Sequence, residues 1–309
     1  MSLTGHAAET RLVLKVDVDT KVGLERGVPR LLELFTRLGL KASFFVAMGP
    51  DHSGRALKRI FRPGFLRKQL RSGAAGAYGP VTMLYGLLLP GPIIAASAPG
   101  VIRDCLTAGH EVGLHGWDHV FWHDRLRTLP RPRIRGELVR AVELFRDITG
   151  MDPAAFAAPG WQVTDDALEL MVELGFSHVS CCRGRGAFRP LVRGRVLPLL
   201  ELPTTLPTLD EVLCRPEVTE QGAAGMLAGM VRPGRLAVFT LHAEVEGRRY
   251  LPVLEEFCRR LLDAGVRFQS LLEAARLEAE RAPAEAVTWG SVAERAYPVA
   301  WQASALGRG

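Results

Sequence analysis

Two groups of polar side chains, far apart in the chain, have the types and spacing of metal ligands. Asp17 and Asp19 end an apolar run that starts at Leu12, and His115 and His119 stand four residues apart in the string His-Gly-Trp-Asp-His. One carboxylate with two imidazoles leaves a coordination position open for water or a substrate carbonyl, which distinguishes catalytic from structural zinc sites. The sequence therefore predicts a catalytic divalent-metal site, for which zinc is suited and cobalt, manganese and iron are alternatives.

Each half of this site has a structural interpretation when it is taken alone. An Asp-x-Asp pair after a strand more often caps the following turn, although side chains two apart in a strand share one side, so two carboxylates there favour a cation between them. Histidines four apart share one face of a helical turn. The preceding string at 110–114 is typical of a short strand, so His115 and His119 are expected at its carboxyl end, where α/β barrels carry their chemistry. Together the two halves favour the metal site.

The composition is that of a packed globular protein. Of 309 residues, 48% are hydrophobic and 23% charged, enough for one large α/β domain or two small ones. Five scattered cysteines without a Cys-x-x-Cys spacing indicate a reducing compartment and argue against a disulfide framework. Residues 1–11 contain no apolar export signal, and no stretch reaches the roughly 20 apolar residues of a membrane span. We expect the protein in the cytoplasm or at the cytoplasmic face of a membrane.

Strand-like and helix-like segments alternate along the chain. Strands are predicted at 12–18, 42–46, 177–180, 195–199, 236–241 and 265–268, and helices at 28–38, 137–149, 164–174, 253–264 and 270–280. This alternation predicts an α/β protein of parallel βα units, arranged as an open sheet or a barrel. Residues 1–280 are expected to form this domain and residues 281–309 a C-terminal appendage.

The order of the motifs resembles that of a known family. The Asp-x-Asp pair is followed by the His-x3-His pair, by Phe-Ala-Ala-Pro-Gly-Trp at 156–161 and by His-Ala-Glu-Val-Glu-Gly at 242–247. Over about residues 10–275 the chain resembles the NodB-like polysaccharide deacetylases, which are metal-dependent amide hydrolases. The string at 242–247 narrows the resemblance to deformylases of undecaprenyl-phosphate-linked 4-deoxy-4-formamido-L-arabinose.

The resemblance implies a fold and a set of roles. The fold would be an irregular (β/α)7 barrel with a long basic and apolar insertion at about 50–105. Asp19, His115 and His119 would bind the metal, Asp17 would act as general base and His242 as general acid. An amine is a poor leaving group unless it is protonated, which is why the reaction needs the imidazolium. Taken alone, a histidine at a strand end is more often a structural residue.

The loop at 156–161 both supports and departs from the family pattern. A backbone N–H in the turn Pro159, Gly160 and Trp161 would stabilise the tetrahedral oxyanion. The family usually carries in this motif an arginine that orients the base, whereas this chain has alanine. Arg183 is our candidate for holding Asp17 instead; otherwise the base is held less tightly.

Four more residues are candidates for contacts with the substrate. Glu244 and Glu246 are expected near the mouth of the site, where they would favour the cationic amino sugar that forms, although either could lie in a solvated turn. Arg183 and Arg189 are expected near the barrel mouth, where an arginine fork can bind phosphate through two parallel hydrogen bonds.

The insertion predicts contact with a membrane. Residues 55–71 carry seven basic side chains and no acid, and residues 72–102 carry no charge at all. A basic amphipathic segment next to an apolar one is typical of docking on an anionic membrane surface, and the alternative is a basic surface helix beside a buried lid. Nucleic-acid binding ranks below both, because no recognised motif accompanies the charge.

These observations favour one function over two others. The first is deformylation of the lipid-linked formamido-arabinose at the cytoplasmic face of the bacterial inner membrane, a reaction that the resemblance associates with lipid A modification and polymyxin resistance. The second is deacetylation of another N-acyl sugar or a peptidoglycan-type substrate. The third is binding of a polyprenyl-phosphate sugar without catalysis, which the absent arginine favours.

Overall fold

The computed structural model describes residues 9–55, 81–295 and 297–306. In chain order its strands are β1 (Arg11–Val18), β2 (Ser43–Val46), β3 (Glu111–Leu114), β4 (Ala155–Ala157), β5 (His178–Ser180), β6 (Arg189–Val192), β7 (Arg195–Val196), β8 (Leu200–Glu201), β9 (Leu236–His242), β10 (Arg267–Gln269), β11 (Ala284–Glu285), β12 (Val287–Gly290) and β13 (Val299–Gln302). The helices are α1 (Val28–Leu38), α2 (Ile94–Ser97), α3 (Pro99–Thr107), α4 (His119–Arg125), α5 (Arg131–Thr149), α6 (Asp165–Glu173), α7 (Leu209–Leu213), α8 (Glu220–Gly229), α9 (Leu251–Asp263) and α10 (Leu271–Glu278).

The wall of the molecule is a parallel sheet that curves into a barrel. Within the described residues its strands follow the order β9-β1-β2-β3-β4-β5-β8, with β10 paired to the start of β1. Between β8 and β9 the wall is closed by Thr205, whose N–H donates to the Val238 carbonyl at 3.0 Å and whose hydroxyl accepts from the Val238 N–H at 2.9 Å. The predicted irregular (β/α) barrel is therefore confirmed.

Burial explains why β1 and α1 form where the sequence predicts them. Seven of the eight residues of β1 are buried, as expected for a parallel strand that is covered on both faces. In α1, Val28, Leu31, Leu34 and Phe35 are buried and share one face. The helix ends at Gly39, which adopts the left-handed conformation with φ 65° that glycine tolerates at a helix C-terminus. Its observed bounds are those predicted from the sequence.

Two predicted elements were placed wrongly. Helix α5 begins at Arg131, one and a half turns before the predicted start, because Pro132 in the first turn fits a helix N-terminus. The predicted strand at 195–199 is only β7, which forms a hairpin with β6 through Arg193 and Gly194, both at positive φ. Pro198 ends that strand because it cannot donate to a ladder, and the barrel strand β8 follows at Leu200.

The C-terminal segment, expected as an appendage, joins the barrel by backbone hydrogen bonds. Strand β11 pairs with β6, and β12 pairs with β13 in an antiparallel hairpin. The Arg183 N–H donates to the Ala300 carbonyl at 2.8 Å, and the Gln302 N–H donates to the Arg183 carbonyl at 2.8 Å. This segment is therefore in a position to contribute to the barrel mouth.

Much of the predicted insertion lies outside the described residues, because the structure describes nothing of 56–80. The part that is described, from Val81 onward, exposes a group of leucines, Leu84, Leu87, Leu88 and Leu89, of which Leu88 is 80% exposed. In the described part of the chain, no helix has both the length and the apolar character that crossing a membrane requires.

Candidate active site

The candidate residues meet at the carboxyl ends of the barrel strands. Asp17 lies near the end of β1, His115 directly follows β3, and His242 is the last residue of β9. Asp17 and His242 are register partners on neighbouring parallel strands. A cavity of about 150 Å³ opens there. Besides Asp17, Asp19, His115, His119 and His242, its lining comprises His123, Gly160, Trp161, Asp210, Val245 and Arg295.

Asp19, His115 and His119 converge as a set of metal ligands would. One ligand atom from each side chain lies within 4.8 Å of the others. His115 Nε2 is 3.2 Å from Asp19 Oδ1, and His119 Nε2 is 3.4 Å from Asp19 Oδ2. One carboxylate and two imidazole nitrogens are a donor set that zinc accepts, and the side of the set that faces the cavity is left for water or substrate. The residues present therefore fit a divalent metal.

Neighbouring groups orient the two histidines. His115 Nδ1 is 2.9 Å from the Ala157 carbonyl, so Nδ1 carries the proton and Nε2 is left to act as a ligand. His119 is the first residue of α4, and Asp118 caps that helix by accepting a hydrogen bond from the Phe121 N–H at 3.0 Å. His115 therefore follows the end of a strand, whereas His119 begins a helix. The Asp118 cap sets the start of that helix and so the position of His119.

Charge complementarity holds the candidate ligand set together. Burial alone would raise the pKa of Asp19, but attraction to His119 and the interaction with His115 lower it well below its usual value. Burial alone would lower the pKa of His115, but the nearby Asp17 and Asp19 carboxylates raise it. Asp19 is therefore ionised at any ordinary pH, and the two imidazoles lie in a negative environment that favours a cation.

Lys15, rather than Arg183, is the cation beside Asp17. Lys15 Nζ lies 3.4 Å from Asp17 Oδ2, and both side chains are buried. Arg183 is buried too, but its guanidinium pairs with Glu211 at 3.3 Å. Our expectation that Arg183 holds Asp17 is therefore wrong. Sequence alone carried the signal for Lys15, because residues two apart in β1 project to the same side.

His242 reaches the cavity, whereas the two glutamates that follow it do not reach the mouth. After β9 the chain turns back on itself, and the Glu246 carboxylate accepts a hydrogen bond from the His242 N–H at 2.8 Å. Glu244 and Glu246 are almost completely buried and do not line the cavity. Burial raises the pKa of Glu246 to about 7, and burial with repulsion from Asp19 raises that of Glu244. The expected sugar contacts of these two residues are therefore corrected to internal ones.

The turn at Pro159–Trp161 forms one wall of the cavity. Gly160 and Trp161 have φ values of 58° and 53°, in the left-handed region that is rarely adopted by tryptophan. Proline has no N–H and the Trp161 N–H donates to the Ala158 carbonyl at 3.1 Å, so Gly160 carries the remaining N–H of this turn. A strained turn at a site edge is a common feature of functional loops.

Arg295, which sequence reasoning missed, is the one arginine of the described residues that lines the cavity. Its guanidinium lies 4.3 Å from the Trp161 ring centre and pairs with Glu211 at 2.5 Å. Arg183 and Arg189 do not line the cavity, and Arg189 instead donates to the Ala279 carbonyl at 3.1 Å. Their expected place at the mouth is therefore wrong. Arg295 comes from the C-terminal segment, and its sequence neighbourhood carries no motif.

His123 is a second lining residue that the sequence motifs did not include. Its ring lies 6.4 Å from that of His119 and 5.2 Å from that of Tyr297. A Cβ on residue 160 would overlap the His123 ring, so glycine is required there. The available signal was the repetition of the four-residue spacing, since His115, His119 and His123 follow one another at that interval.

Comparisons with known proteins agree with this geometry. Residues 7–179 match the polysaccharide deacetylase family. The chain is 37% identical over 264 residues to the probable 4-deoxy-4-formamido-L-arabinose-phosphoundecaprenol deformylase ArnD of Shewanella sediminis, covering 85% of each chain. It is 29% identical over 282 residues to the protein of the same name from Wigglesworthia glossinidia brevipalpis, covering 91% of this chain and 98% of that one.

A solved structure supports the fold. A Mycobacterium smegmatis protein assigned as a polysaccharide deacetylase superposes with a TM-score of 0.63 at 19% identity, covering 94% of this chain and 100% of that one. At this identity the likeness concerns the fold alone. The sequence matches show the class of reaction. The protein is a hydrolase that acts on an amide bond, as the motifs predicted. The chain belongs to the polysaccharide deacetylase family.

Proposed function

We propose that the protein removes the formyl group from 4-deoxy-4-formamido-L-arabinose carried on undecaprenyl phosphate. The observation that carries the proposal is the convergence of Asp19, His115 and His119 on one cavity that Asp17 and His242 also line. The substrate is the one that the names of the two relatives contain. Each match covers most of the relative and most of this chain. The products are formate and a free amino sugar.

In this proposal Asp19, His115 and His119 hold a divalent metal, most suitably zinc. Bound there, such an ion supplies Lewis-acid chemistry, which polarises the amide carbonyl and makes water a better nucleophile near neutral pH. The surrounding groups favour it: Asp19 is ionised, and the hydrogen bond from His115 Nδ1 to Ala157 leaves Nε2 as the donor atom.

Asp17 accepts the proton of the attacking water. Its Oδ2 lies beside Lys15 and 3.9 Å from His115 Nε2, a nitrogen of the candidate ligand set. The carboxylate therefore lines the cavity beside the ligand set, where it can act as a base. A carboxylate in this position contributes a factor of about 10² to 10⁴ as a general base.

His242 donates a proton to the departing nitrogen. It stands across from Asp17 in the register of β1 and β9, so the base and the acid approach the substrate from neighbouring strands. The Glu246 carboxylate holds the His242 backbone and keeps the side chain at the strand end. The N–H of Gly160 stabilises the negative charge that develops on the carbonyl oxygen in the transition state.

In this proposal the reaction takes place at the cytoplasmic face of the inner membrane and contributes to lipid A modification and resistance to polymyxin. Two features support that location: the exposed leucines at 84–89 and the seven basic residues at 55–71 of the sequence, which lie next to them in the chain. Each basic residue near an anionic leaflet contributes about 1 kcal/mol, so the segment would hold the protein there as a peripheral protein.

The test is formate release from a synthetic undecaprenyl-phosphate formamido-arabinose by the purified protein. Turnover should stop in the presence of a chelator and return when zinc is added. Asp17→Asn and His242→Ala should each lower turnover by a factor of about 10² to 10⁴ while the metal content stays at the wild-type level, and His119→Ala should lose the metal. The matching N-acetyl sugar serves as the competing substrate.

Three outcomes would contradict the proposal. Faster release of acetate than of formate would favour a deacetylase. Tight binding of the lipid-linked sugar with no release of either acid would favour a binding protein. Full turnover in both the Asp17 and His242 variants would show that the base and the acid lie elsewhere.

A further inference from the structure

Lys15 is a charged residue in the interior of the barrel wall. It lies in the middle of β1, and its side chain is 0% exposed. Lysine is almost never buried completely unless it is paired, because removing an ammonium group from water is unfavourable by several kcal/mol. Lys15 is therefore expected to have a partner of opposite charge.

Three groups surround the Lys15 ammonium. Its Nζ lies 3.4 Å from Asp17 Oδ2, donates to the Ser180 carbonyl at 3.2 Å, and stands 5.5 Å from the centre of the Trp161 ring. These partners come from β1, from β5 and from the turn after β4. Because three separate elements hold the ammonium, its position is fixed by the barrel rather than by the flexible lysine chain.

Asp17 is the carboxyl group that pairs with Lys15. The other buried carboxyl near this lysine is Glu201, whose Oε1 accepts from the N–H groups of Cys181 at 2.7 Å and Cys182 at 3.2 Å. Burial raises the pKa of Glu201 to about 8, so this carboxyl is mostly neutral at pH 7 and does not compete for the ammonium.

We infer that Lys15 is a positioning residue for the base: its ion pair with Oδ2 of Asp17 fixes the orientation of the carboxylate beside the candidate ligand set. This inference rests on the proposed hydrolysis and adds to it the residue that orients the Asp17 carboxylate. Asp17 Oδ2 lies 3.4 Å from the ammonium and 3.9 Å from His115 Nε2, so the oxygen that Lys15 engages is also the one that faces the candidate ligand set. A carboxylate that is held at one oxygen cannot rotate freely. Correct orientation of a catalytic group raises the rate by a large factor.

The first experiment compares two substitutions of Lys15 with a matched one elsewhere. Lys15→Gln keeps a donor for the Ser180 carbonyl but removes the charge, and Lys15→Arg keeps the charge. Lys41→Gln is the control, because Lys41 is exposed and its Nζ also donates to a backbone carbonyl, that of Ala108, at 3.1 Å. We expect Lys15→Gln to lower kcat about 100-fold with KM and metal content nearly unchanged, Lys15→Arg to recover at least about a tenth of wild-type kcat, and Lys41→Gln to match the wild type.

The second experiment asks whether Lys15 acts through Asp17. The Lys15→Gln change is made in the wild type and in Asp17→Asn, and the residual formate release is compared. If the lysine only aims the carboxylate, its removal should lower the rate less than about threefold once the carboxylate is gone. A lysine that merely supports the fold would lower the rate by the same factor in both backgrounds, and that result would overturn the inference, as would wild-type kcat in Lys15→Gln.

A measurement without substrate separates this inference from the proposed function. Urea unfolding of the same four proteins should show that Lys15→Gln lowers the midpoint in the wild type, because it leaves Asp17 buried and unpaired, and lowers it less when Asp17 is already asparagine. Absence of this coupling would overturn the ion pair on which the inference depends. If the wild type shows the coupling but releases no formate, the proposed function fails and the pairing stands.

Discussion

Residues of the same type have different chemistry in this site because their neighbours differ. Asp17 and Asp19 are two positions apart, yet Asp19 lies between two imidazoles while Asp17 lies beside Lys15. The glutamates show a similar division. Glu246 is buried against the His242 backbone, and Glu201 is buried against the backbone of two cysteines. Both glutamates accept hydrogen bonds from backbone N–H groups in the interior. The neighbours of a carboxyl group, rather than its residue type, therefore decide whether it faces the cavity.

The buried Glu201 predicts a specific pH dependence of stability. Its pKa rises from 4.5 to about 8 on folding because of burial, so the folded protein binds a proton that the unfolded chain releases. The stabilisation is complete below pH 4.5 and is lost as the pH rises through about 8. Glu201→Gln keeps the carbonyl oxygen that accepts from Cys181 and Cys182 and cannot ionise. Relative to the wild type, we expect this variant to become more stable as the pH is raised from 5 to 9.

Urea midpoints of the two proteins at each pH measure this effect. Glu217→Gln is the control, because Glu217 is exposed, and its difference from the wild type should change little over the same range. A constant difference between Glu201→Gln and the wild type would show that Glu201 ionises in the folded protein as it does in water.

At the scale of elements, the site depends on where strands end and helices begin. Helix α4 is an example, because its first residue, His119, is a candidate metal ligand and its cap, Asp118, is polar and nearly buried. Asp118 accepts from the Phe121 N–H with one oxygen and lies 2.7 Å from His52 Nδ1 with the other. The cap therefore ties the metal-ligand helix to the segment that follows β2.

Removing this cap should weaken metal binding as well as stability. Asp118→Ala leaves the first N–H groups of α4 without their acceptor, which lowers the stability by about 1 kcal/mol. Because His119 then loses its fixed position, we expect the metal affinity to fall about tenfold. Metal titration and urea unfolding measure the two effects. Thr219→Ala is the matched control, since Thr219 caps α8 through the Gly222 N–H at 3.1 Å, away from the site. Equal metal affinity in both variants would contradict this role.

The apolar segment before α2 makes a prediction about membrane binding. Leu88 is 80% exposed, and its neighbours Leu87 and Leu89 are exposed as well. If this segment enters the lipid, Leu88→Ser should weaken association with anionic vesicles about tenfold, because burying a leucine contributes about 1.5–3 kcal/mol. Leu277→Ser is the control, since Leu277 is also exposed but lies on α10. Vesicle sedimentation gives the comparison, and identical binding by both variants would exclude Leu88 from the lipid contact.

At the scale of the whole molecule, the C-terminal segment completes the cavity wall. Strands β11 and β13 join this segment to the barrel, and Arg295, between β12 and β13, lies over Trp161 and pairs with Glu211. The match to the polysaccharide deacetylase family ends at residue 179, so this contribution comes from a part of the chain beyond the matched residues.

Arg295 is therefore expected to act on substrate binding rather than on the chemical step. Arg295→Ala should raise KM for the lipid-linked substrate about tenfold and leave kcat within about threefold, since the groups that transfer protons are unchanged. Arg215→Ala is the control, because Arg215 pairs with Glu294 at 3.4 Å and so links the same segment to the barrel without lining the cavity. A KM that rises equally in both variants would mean that Arg295 only anchors the segment.

The local pattern of the sequence was enough for the fold class, the bounds of α1 and the identity of the site motifs. Hydrophobic periodicity and caps depend on neighbouring residues, and the family motifs retain their order in the chain, so both can be read without coordinates. The two misplaced elements, α5 and the strand predicted at 195–199, both depended on prolines: Pro132 allows the helix to begin earlier, and Pro198 ends the strand.

Only the tertiary structure decided which charged groups meet. Arg183 meets Glu211 rather than Asp17, Arg295 rather than Arg189 lines the cavity, and Glu244 is buried instead of facing the mouth. The positions of the two arginines depend on the closure of the barrel and on the return of the C-terminal segment, which bring together residues far apart in the chain. The sequence by itself determined the chemistry that is available, because residue types and spacing are local; the three-dimensional packing decided its arrangement, because charge pairing depends on distance in space.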